Sequence, residues 1–388
     1  MPPIAAYVPA YIIAARRTAI GRIGGLHRSR RIEELSAPLV AAVLRDCGLE
    51  PGQIDEIIVG NATQSGNPAR LIALAAGLPE AVSATTIDRQ CGSGLDAILS
   101  AIRRVALGEA EAILAGGAET VSTAPWRISK PKSLYQLPHF MSFEPSAADE
   151  HEVTAFIESS EALSLRLGIS RAQQDAFALR TYLKAQAAHT SKRLVGEIVP
   201  LRANAEEARD QSAVEPDYKD LAQLAPYLAP DGTLTPGNTS AVHDGGAMAV
   251  VVSERLWTTL GKPRAMRLIA QAARGVAPDA EASAPLEAMS KLNERMNGYK
   301  PADISVIEMS ESSAAQAIAL LRRFELDEDV LNPDGGAIAR GHPYAAAGAV
   351  LIARLFTRMA RNEEKAKLGV ATLGVMGGMG LAALFEAV

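Results

Sequence analysis

One of the two cysteines in this chain of 388 residues, Cys91, lies in the stretch RQCGSGLDAI. Gly92, Ser93 and Gly94 follow it and allow a tight turn and the close approach of a substrate. A helix beginning near Leu95 would place the thiol at a helix N-terminus, where free N–H groups lower a thiol pKa and stabilise an oxyanion. The pattern suits a covalent nucleophile, and it suits a small buried side chain equally well.

A thiol nucleophile needs a base, and His342 in GGAIARGHPYAAAGAV is the best placed of the six histidines. Glycines precede it, and Pro343 fits the first turn of the small-residue helix that follows. His243, in the glycine turn AVHDGGA, is the second choice. The others lie in polar loops or on a helix surface, where we expect them to be solvated: His27, His139, His151 and His189. A facing cysteine and histidine would have the arrangement of an acyl-transfer site.

The elements that must position these residues alternate along the chain. IEELSAPLVAAVLRDCG and LDAILSAIRRVALGEA have helical periodicity, whereas AYIIAARRT, IDEIIVGN and AEAILAGGAET are typical of strands. This alternation predicts an α/β fold with mainly parallel strands. From about Ser122 to Asp220 there is little strand signal, and ISRAQQDAFALRTYLKAQAAHTSKR predicts a long helix with Ser170 as its N-cap. We interpret this block as an insertion that covers a site.

The strand–helix pattern also repeats. PGQIDEIIVG, from Pro51, resembles PADISVIEMS, which begins 250 residues later at Pro301. The same offset takes Cys91 to Gly341, immediately before His342. A duplicated α/β unit would place the two turns with candidate chemistry at matching points of two halves. Pseudo-symmetry between the halves would then face the thiol with the imidazole.

Composition excludes several classes of function. Apolar residues make up 48% of the chain and charged residues 21%, as in a soluble protein with a substantial core. The net charge of −5 argues against a nucleic-acid-binding surface. Cys47 and Cys91 cannot build a disulfide framework or a CxxC-type metal site, and a reduced, cytoplasmic location suits both thiols. The N-terminal apolar run precedes its positive charges, unlike a signal peptide, and is too short to span a membrane.

Five blocks resemble, in order and spacing, the signature blocks of the thiolase superfamily, the acetyl-CoA acetyltransferases and 3-ketoacyl-CoA thiolases: TTIDRQCGSGLDAI, AGGAETVSTAP, GTLTPGNTSAVHDGGA, NPDGGAIARGHP and GGMGLAALFE. Only about Trp126 to Ile157 does not align. The resemblance implies a duplicated five-layer αβαβα fold with an inserted loop domain, and a homodimer or homotetramer, of which we expect the dimer. The implied domains are 1–121 with 243–263, a loop domain over 122–242, and a C-terminal half over 264–388.

The resemblance also implies a reaction. Cys91 matches a nucleophile that attacks a 3-ketoacyl-CoA and forms an acyl-enzyme, which passes its acyl group to coenzyme A or, in reverse, to the carbanion of acetyl-CoA. His342 matches the histidine that activates this cysteine. Ser240, in GNTSAV, matches a serine that touches the pantetheine of coenzyme A. Coenzyme A and acyl-CoA are then substrates, and no permanently bound cofactor or metal is implied.

The departures from the family pattern cluster on the site. Gly374, in TLGVMGGMG, replaces the second catalytic cysteine, which moves the α-proton of the acetyl group, and Met376 replaces a glycine that donates an oxyanion N–H. Ser310 replaces an asparagine that positions an oxyanion water, and His243 replaces a common asparagine. Glycine has no titratable atom, whereas a positioned proton carrier contributes about 10²–10⁴-fold to a rate.

Two interpretations follow from this pattern. In the first, the protein is a thiolase-type acyltransferase in which His243, Glu311 or a water moves the proton. In the second, it retains only the Cys91 acyl-enzyme. It is then a decarboxylating condensing enzyme, a thioesterase, or an acyl-CoA-binding subunit without turnover. The joint occurrence of the Cys91 turn and His342 favours an enzyme.

Overall fold

The computed structural model describes residues 8–131, 133–141, 155–202, 205–212, 218–296, 298–361 and 366–388. The segments 142–154, which includes His151, and 213–217 of the predicted loop domain lie outside these ranges. The strands are β1 Ala10–Arg17, β2 Gly21–Arg22, β3 Glu56–Gly60, β4 Ser83–Ile87, β5 Ala112–Glu119, β6 Arg127–Ile128, β7 Phe140–Met141, β8 His243–Ser253, β9 Met266–Gly275, β10 Val306–Ser310, β11 Leu368–Val375 and β12 Met379–Ala387. The helices are α1 Ile32–Cys47, α2 Pro68–Ala75, α3 Ser93–Ala106, α4 Ala155–Leu167, α5 Arg171–Thr190, α6 Tyr218–Gln223, α7 Glu254–Thr259, α8 Ala284–Asn293, α9 Ala314–Phe324, α10 Ala337–Arg340 and α11 Ala347–Phe356.

Within the described residues, one large sheet runs through the molecule in the order β10-β11-β12-β9-β1-β8-β5-β3-β4, with β2 beside β8. Its two halves meet where β1 contacts β9 over two residue pairs. β3 is parallel to β4 and β5, and β10 is parallel to β11. The prediction of mainly parallel strands is wrong, because β8 returns from the insertion antiparallel to β5 and a tight turn folds β12 back onto β11.

The duplication predicted from the sequence is present in the strands. β10 begins at Val306, 250 residues after β3 begins at Glu56. Short 3-10 turns at Pro51–Gln53 and Pro301–Asp303 precede these strands. Each strand also lies parallel to the last strand of its own repeat, β5 or β11. The two halves therefore place the turns that follow their central strands at equivalent positions.

Five layers alternate across the molecule. Helices α3 and α11 pack against each other between the two halves of the sheet and share one apolar core with both. All ten residues of α11 are buried, as expected of its sequence AGAVLIARLF, which is apolar on every side apart from Arg354. Separate cores lie under α1 and α2 on one outer face and under α8 and α9 on the other. This arrangement is the predicted αβαβα fold.

The N-terminal ends of the two central helices approach each other closely because glycine stands at the contact. A Cβ on Gly94 would lie 2.9 Å from the carbonyl oxygen of Ala345. A Cβ on Gly348 would lie 2.5 Å from Cβ of Leu95. Backbone-level contact of this kind fixes the distance between the two turns that precede these helices.

Among its described residues, the insertion between β5 and β8 contains three α-helices, α4, α5 and α6, and only two short strands, and α5 is the predicted long helix. Ser170 caps α5: its Oγ accepts the Gln173 N–H at 3.3 Å, and Gln173 Oε1 accepts the Ser170 N–H at 2.9 Å. β8 then returns the chain to the first half of the sheet. We propose the domain boundaries that the sequence analysis gives, with 122–242 as the loop domain.

No helix in the described ranges is long and apolar enough to cross a membrane. α5 has 20 residues but carries charged side chains along its length, and the apolar α11 has 10. A bilayer requires about 20 consecutive apolar residues.

Candidate active site

The turn before α3 places Cys91 against His342. Cys91 lies in a 3-10 turn over Gln90–Gly92, directly before α3 begins. Its Sγ is 3.3 Å from Nε2 of His342, although 251 positions separate the two residues in the chain. Both side chains are buried, with 6% and 8% of their surface exposed. The structure thus brings together the thiol and the imidazole that the sequence singles out.

Backbone pairing between the two halves holds His342 in place. The His243 N–H donates to the His342 carbonyl at 2.9 Å, and the His342 N–H donates to the Ala241 carbonyl at 3.0 Å. On the ring, Nδ1 lies 3.0 Å from Oγ of Ser310, the last residue of β10. A neutral imidazole with its proton on Nδ1 donates to Ser310 and leaves Nε2 free to accept the thiol proton. Ser310 contacts the base itself, where the family pattern has an asparagine that positions a water.

Burial sets the protonation of this pair. Burial and the nearby Glu281 raise the pKa of the Cys91 thiol to about 12, against the backbone N–H groups of Met376 and Cys91, which lower it. Burial lowers the pKa of His342 to about 4. The resting pair is therefore a neutral thiol and a neutral imidazole. The prediction that the helix end lowers the thiol pKa is wrong for this state, because desolvation outweighs the N–H groups at the sulfur.

A cavity of about 290 Å³ opens at the sulfur. Of the predicted site residues, Cys91, His342, Ser240, Gly374 and Met376 line it, and Ser310 lies behind the imidazole. The Met376 substitution leaves its backbone N–H at the sulfur, so the group that an oxyanion needs is retained.

The insertion closes the cavity on one side. Tyr227 lines it together with Phe156 and Ile157 of α4, and these two residues of α4 stand where the family pattern is not recognisable in the sequence. A second cavity of about 580 Å³ shares Val242 and Tyr344 with the first. Val242 and Tyr344 therefore stand at the boundary between the two cavities.

The two side chains considered for proton transfer do not line this cavity within the described residues. The carboxylate of Glu311 accepts from Asn332 Nδ2 at 2.6 Å and from the Ile338 N–H at 3.3 Å. The His243 ring is bonded at both nitrogens, to the Ala241 carbonyl at 2.7 Å and to Ser212 Oγ at 2.5 Å. Both side chains therefore serve the scaffold around the site.

Sequence reasoning missed several polar residues of the cavity, among them Glu281 and Gln316. Both are buried: Glu281 lies in the 3-10 turn Pro278–Ser283 and Gln316 in the first turn of α9. The only local signal was the carboxylate of Glu281 at the start of EASAPLEAM, a stretch of mainly small and apolar residues that runs into α8.

The prediction that the remaining histidines are solvated is wrong for His27. His27 is 1% exposed, with Nε2 at 2.8 Å from the Ala19 carbonyl and Nδ1 at 2.7 Å from Arg30 Nη1. Its pKa is lowered, chiefly by burial. His139 is exposed, as predicted, and His189 is half-buried. No group of three or more histidine, cysteine or acidic residues in the described part of the chain could hold a metal ion.

Comparison with known families matches residues 10–255 to the thiolase N-terminal domain and residues 262–387 to the thiolase C-terminal domain. The chain belongs to the thiolase family. It is 36% identical over 403 residues to the beta-ketoadipyl-CoA thiolase of Pseudomonas putida, with 97% of this chain and 99% of the relative covered. It is 36% identical over 402 residues to the 3-oxoadipyl-CoA/3-oxo-5,6-dehydrosuberyl-CoA thiolase of Escherichia coli, with 98% and 99% covered.

The crystal structure of the Bacillus anthracis acetyl-CoA acetyltransferase superposes with a TM-score of 0.91 at 31% identity, covering 99% of this chain and 100% of that one. The family resemblance, the fold and the assignment to the acyltransferases are thereby confirmed. The roles of the individual site residues stay predictions.

Proposed function

We propose that this thiolase-family chain forms an acyl-enzyme on Cys91, activated by His342, and transfers acyl groups between coenzyme A thioesters. The observation that carries the proposal is the 3.3 Å contact between Sγ and Nε2 at the wall of a cavity. The names of the relatives, thiolases of 3-oxoacyl-CoA compounds and an acetyl-CoA acetyltransferase, support a CoA thioester as the substrate.

Acylation begins from the neutral pair. Because the thiol pKa is high and the imidazole pKa is low, the proton moves from Sγ to Nε2 as the sulfur attacks the carbonyl carbon. The imidazolium keeps its Nδ1–H bond to Ser310, which becomes charge-assisted at this moment. The backbone N–H groups of Cys91 and Met376, which converge on the sulfur, are placed to stabilise the oxyanion.

Substrate contacts follow from the cavity walls. Ser240 is half-buried at the cavity and is proposed to contact the pantetheine arm of coenzyme A. Phe156 and Ile157 supply an apolar wall for the acyl chain. Coenzyme A enters as a substrate and no resident cofactor is proposed. We also propose that the protein acts in the cytoplasm as a homodimer, with a homotetramer as the alternative.

One observation favours a second candidate. Gly374 offers no titratable atom at the position of the second family cysteine, and a decarboxylating condensation or a thioester hydrolysis needs no removal of an α-proton. Thiolysis of acetoacetyl-CoA by coenzyme A, followed as the loss of enolate absorbance, separates this candidate from a thiolase, because only the thiolase cleaves that substrate.

Incubation with acetyl-CoA and mass spectrometry of the Cys91 peptide test the acyl-enzyme itself. We expect one acetyl group on Cys91, none on Cys47, and loss of labelling in Cys91→Ala. His342→Ala should slow labelling by at least a hundredfold, because the thiol then has no proton acceptor. An unlabelled Cys91 in a protein that still binds acyl-CoA would replace the proposal with a binding function.

A further inference from the structure

Cleavage of a 3-ketoacyl-CoA requires a second proton donor besides the Cys91–His342 pair. When the bond between C2 and C3 breaks, its electron pair remains on C2 of the departing acetyl-CoA, and that carbon needs a proton. His342 already holds the thiol proton at this stage. Gly374 has no side chain to supply another. This argument rests on the proposed function, and it asks which group in the cavity carries the second proton.

We propose that the carboxyl group of Glu281 gives this proton to C2 in cleavage and removes it in condensation. Glu281 lines the same cavity as Cys91 and Gly374. It is the one carboxylic acid among the described residues that do so. Only 7% of the residue is exposed, so water has little access to the carboxyl group.

The turn between β11 and β12 fixes this carboxyl group relative to the sulfur. The Gly377 N–H donates to Oε2 of Glu281 at 2.8 Å, across 96 positions of the chain. The backbone N–H of the preceding residue, Met376, lowers the pKa of the Cys91 thiol. Adjacent amides of one turn therefore act on the proposed acid and on the nucleophile. The 3-10 turn that carries Glu281 is itself held at Ala282, whose carbonyl accepts from Gln316 Nε2 at 3.0 Å.

The environment keeps this group protonated to a higher pH than an exposed carboxyl. Burial raises the pKa of Glu281, and the N–H groups of Gly377 and Gly378 lower it by less. A raised pKa brings a carboxylic acid towards the operating pH, where a general acid and base works best. The charge of Glu281 in turn raises the pKa of Cys91, which places the two groups within electrostatic range.

The other polar groups of the cavity are less suited to the task. The hydroxyl of Tyr344 donates to Sδ of Met376 at 3.6 Å, and burial raises its pKa far above neutrality. Gln316 has no titratable proton. Two further buried carboxylates lie near the site but are bonded into the scaffold: Glu119 to Asn61 Nδ2 at 3.0 Å and Glu311 to Asn332 Nδ2 at 2.6 Å.

The full cycle then balances. Sγ of Cys91 bonds to C3, the C2–C3 bond breaks, and the electron pair on C2 takes the proton of Glu281, which releases acetyl-CoA and leaves a carboxylate. The carboxylate takes the thiol proton of the incoming coenzyme A, whose sulfur attacks the acyl-enzyme. The acyl–Sγ bond breaks, and His342 returns its proton to the Cys91 sulfur.

The test compares Glu281→Gln with the wild type in three assays: acetylation of Cys91 by acetyl-CoA, thiolysis of acetoacetyl-CoA, and exchange of the acetyl-CoA methyl protons in deuterium oxide. We expect Cys91 still to become acetylated, because coenzyme A can leave as a thiolate without a proton from Glu281, whereas thiolysis should fall about 10²–10⁴-fold and exchange should be lost. Glu287→Gln is the matched control, since Glu287 lies in α8, pairs with Arg323 and does not line the cavity among the described residues.

A second variant guards against a folding defect. A Cβ on Gly374 would lie 3.4 Å from Gln316 Nε2 and 3.6 Å from Pro285 Cδ, so a cysteine fits there. Adding Gly374→Cys to Glu281→Gln should restore thiolysis at least tenfold, and adding Gly374→Ala should not. Thiolysis or exchange that survives in Glu281→Gln, or a wild type that exchanges no methyl protons, would overturn the role of Glu281. A wild type without acetylation of Cys91 would instead overturn the proposed function, and exchange would still report on Glu281.

Discussion

Replacement of Ser310 by alanine removes the hydrogen bond that orients the base. Oγ lies 3.0 Å from Nδ1 of His342, at the end of β10, and the residue is buried. Without this partner, Nδ1 is left unpaired in the interior. The imidazole then no longer favours the tautomer that presents a free Nε2 to Cys91.

The size of the effect follows from the change in charge during the reaction. A hydrogen bond between neutral groups contributes about 0.5–1.5 kcal/mol net, and one to a charged group about 1.5–3 kcal/mol. His342 is neutral at rest and cationic during acyl transfer, so the bond to Ser310 strengthens by about 1–1.5 kcal/mol in the transition state. At 1.36 kcal/mol per tenfold in rate, Ser310→Ala should lower kcat about 5–13-fold.

Steady-state kinetics of acetoacetyl-CoA thiolysis measure this effect. KM should stay within twofold of the wild type, because Ser310 is not among the described residues that line the cavity. Ser36→Ala is the control: this buried serine of α1 has a hydroxyl without a hydrogen-bond partner among the described residues. A higher KM at unchanged kcat, or equal losses in the two variants, would refute a positioning role for Ser310.

Three further perturbations test other features. Arg354→Met should lower the free energy of unfolding in urea by about 3–5 kcal/mol, because it removes the buried cation that pairs at once with Glu197, Glu308 and Asp334; an unchanged midpoint would contradict this. Gly60→Ala should cost at least tenfold in activity, since its Cβ would lie 2.4 Å from the backbone at the start of α3, whereas Gly52→Ala, with open space around it, should be neutral. The rate of Cys91 alkylation by iodoacetamide should rise about tenfold per pH unit from pH 7 to 10, because the thiolate reacts and the pKa is raised to about 12; a plateau below pH 8 would reveal a resting thiolate–imidazolium pair.

Local pattern was enough to predict the elements and the duplication. The apolar spacing of α1 and α3 and the capping residue Ser170 act within a few residues of chain. The duplication was visible because two short local patterns, which begin at Pro51 and Pro301, resemble each other. Strand direction was not predictable in this way. β8 is an apolar run that suits either orientation, and its antiparallel pairing with β5 is decided by where the insertion returns the chain.

The sequence predicted only those site residues that lie in the blocks resembling the thiolase family. Cys91 and His342 stand in recognisable turns at matching points of the two repeats, so we expected the thiol and the imidazole to face each other. Glu281 was missed because a turn 96 positions away brings it to the cavity. The raised thiol pKa was missed for a related reason, since desolvation depends on how many layers cover a residue and no local sequence pattern reports that.

Cys91 and His342 belong to different repeats, so they come together only late in the synthesis and folding of each chain. The first half, once synthesised, carries a sulfur but no imidazole beside it, and the second half carries the imidazole without the sulfur. If the proposed mechanism holds, chemistry starts only after α11 has docked onto α3. We therefore expect a ribosome-bound or truncated chain to be inert towards thioesters, and labelling of the sulfur to report that both halves have been synthesised and have docked.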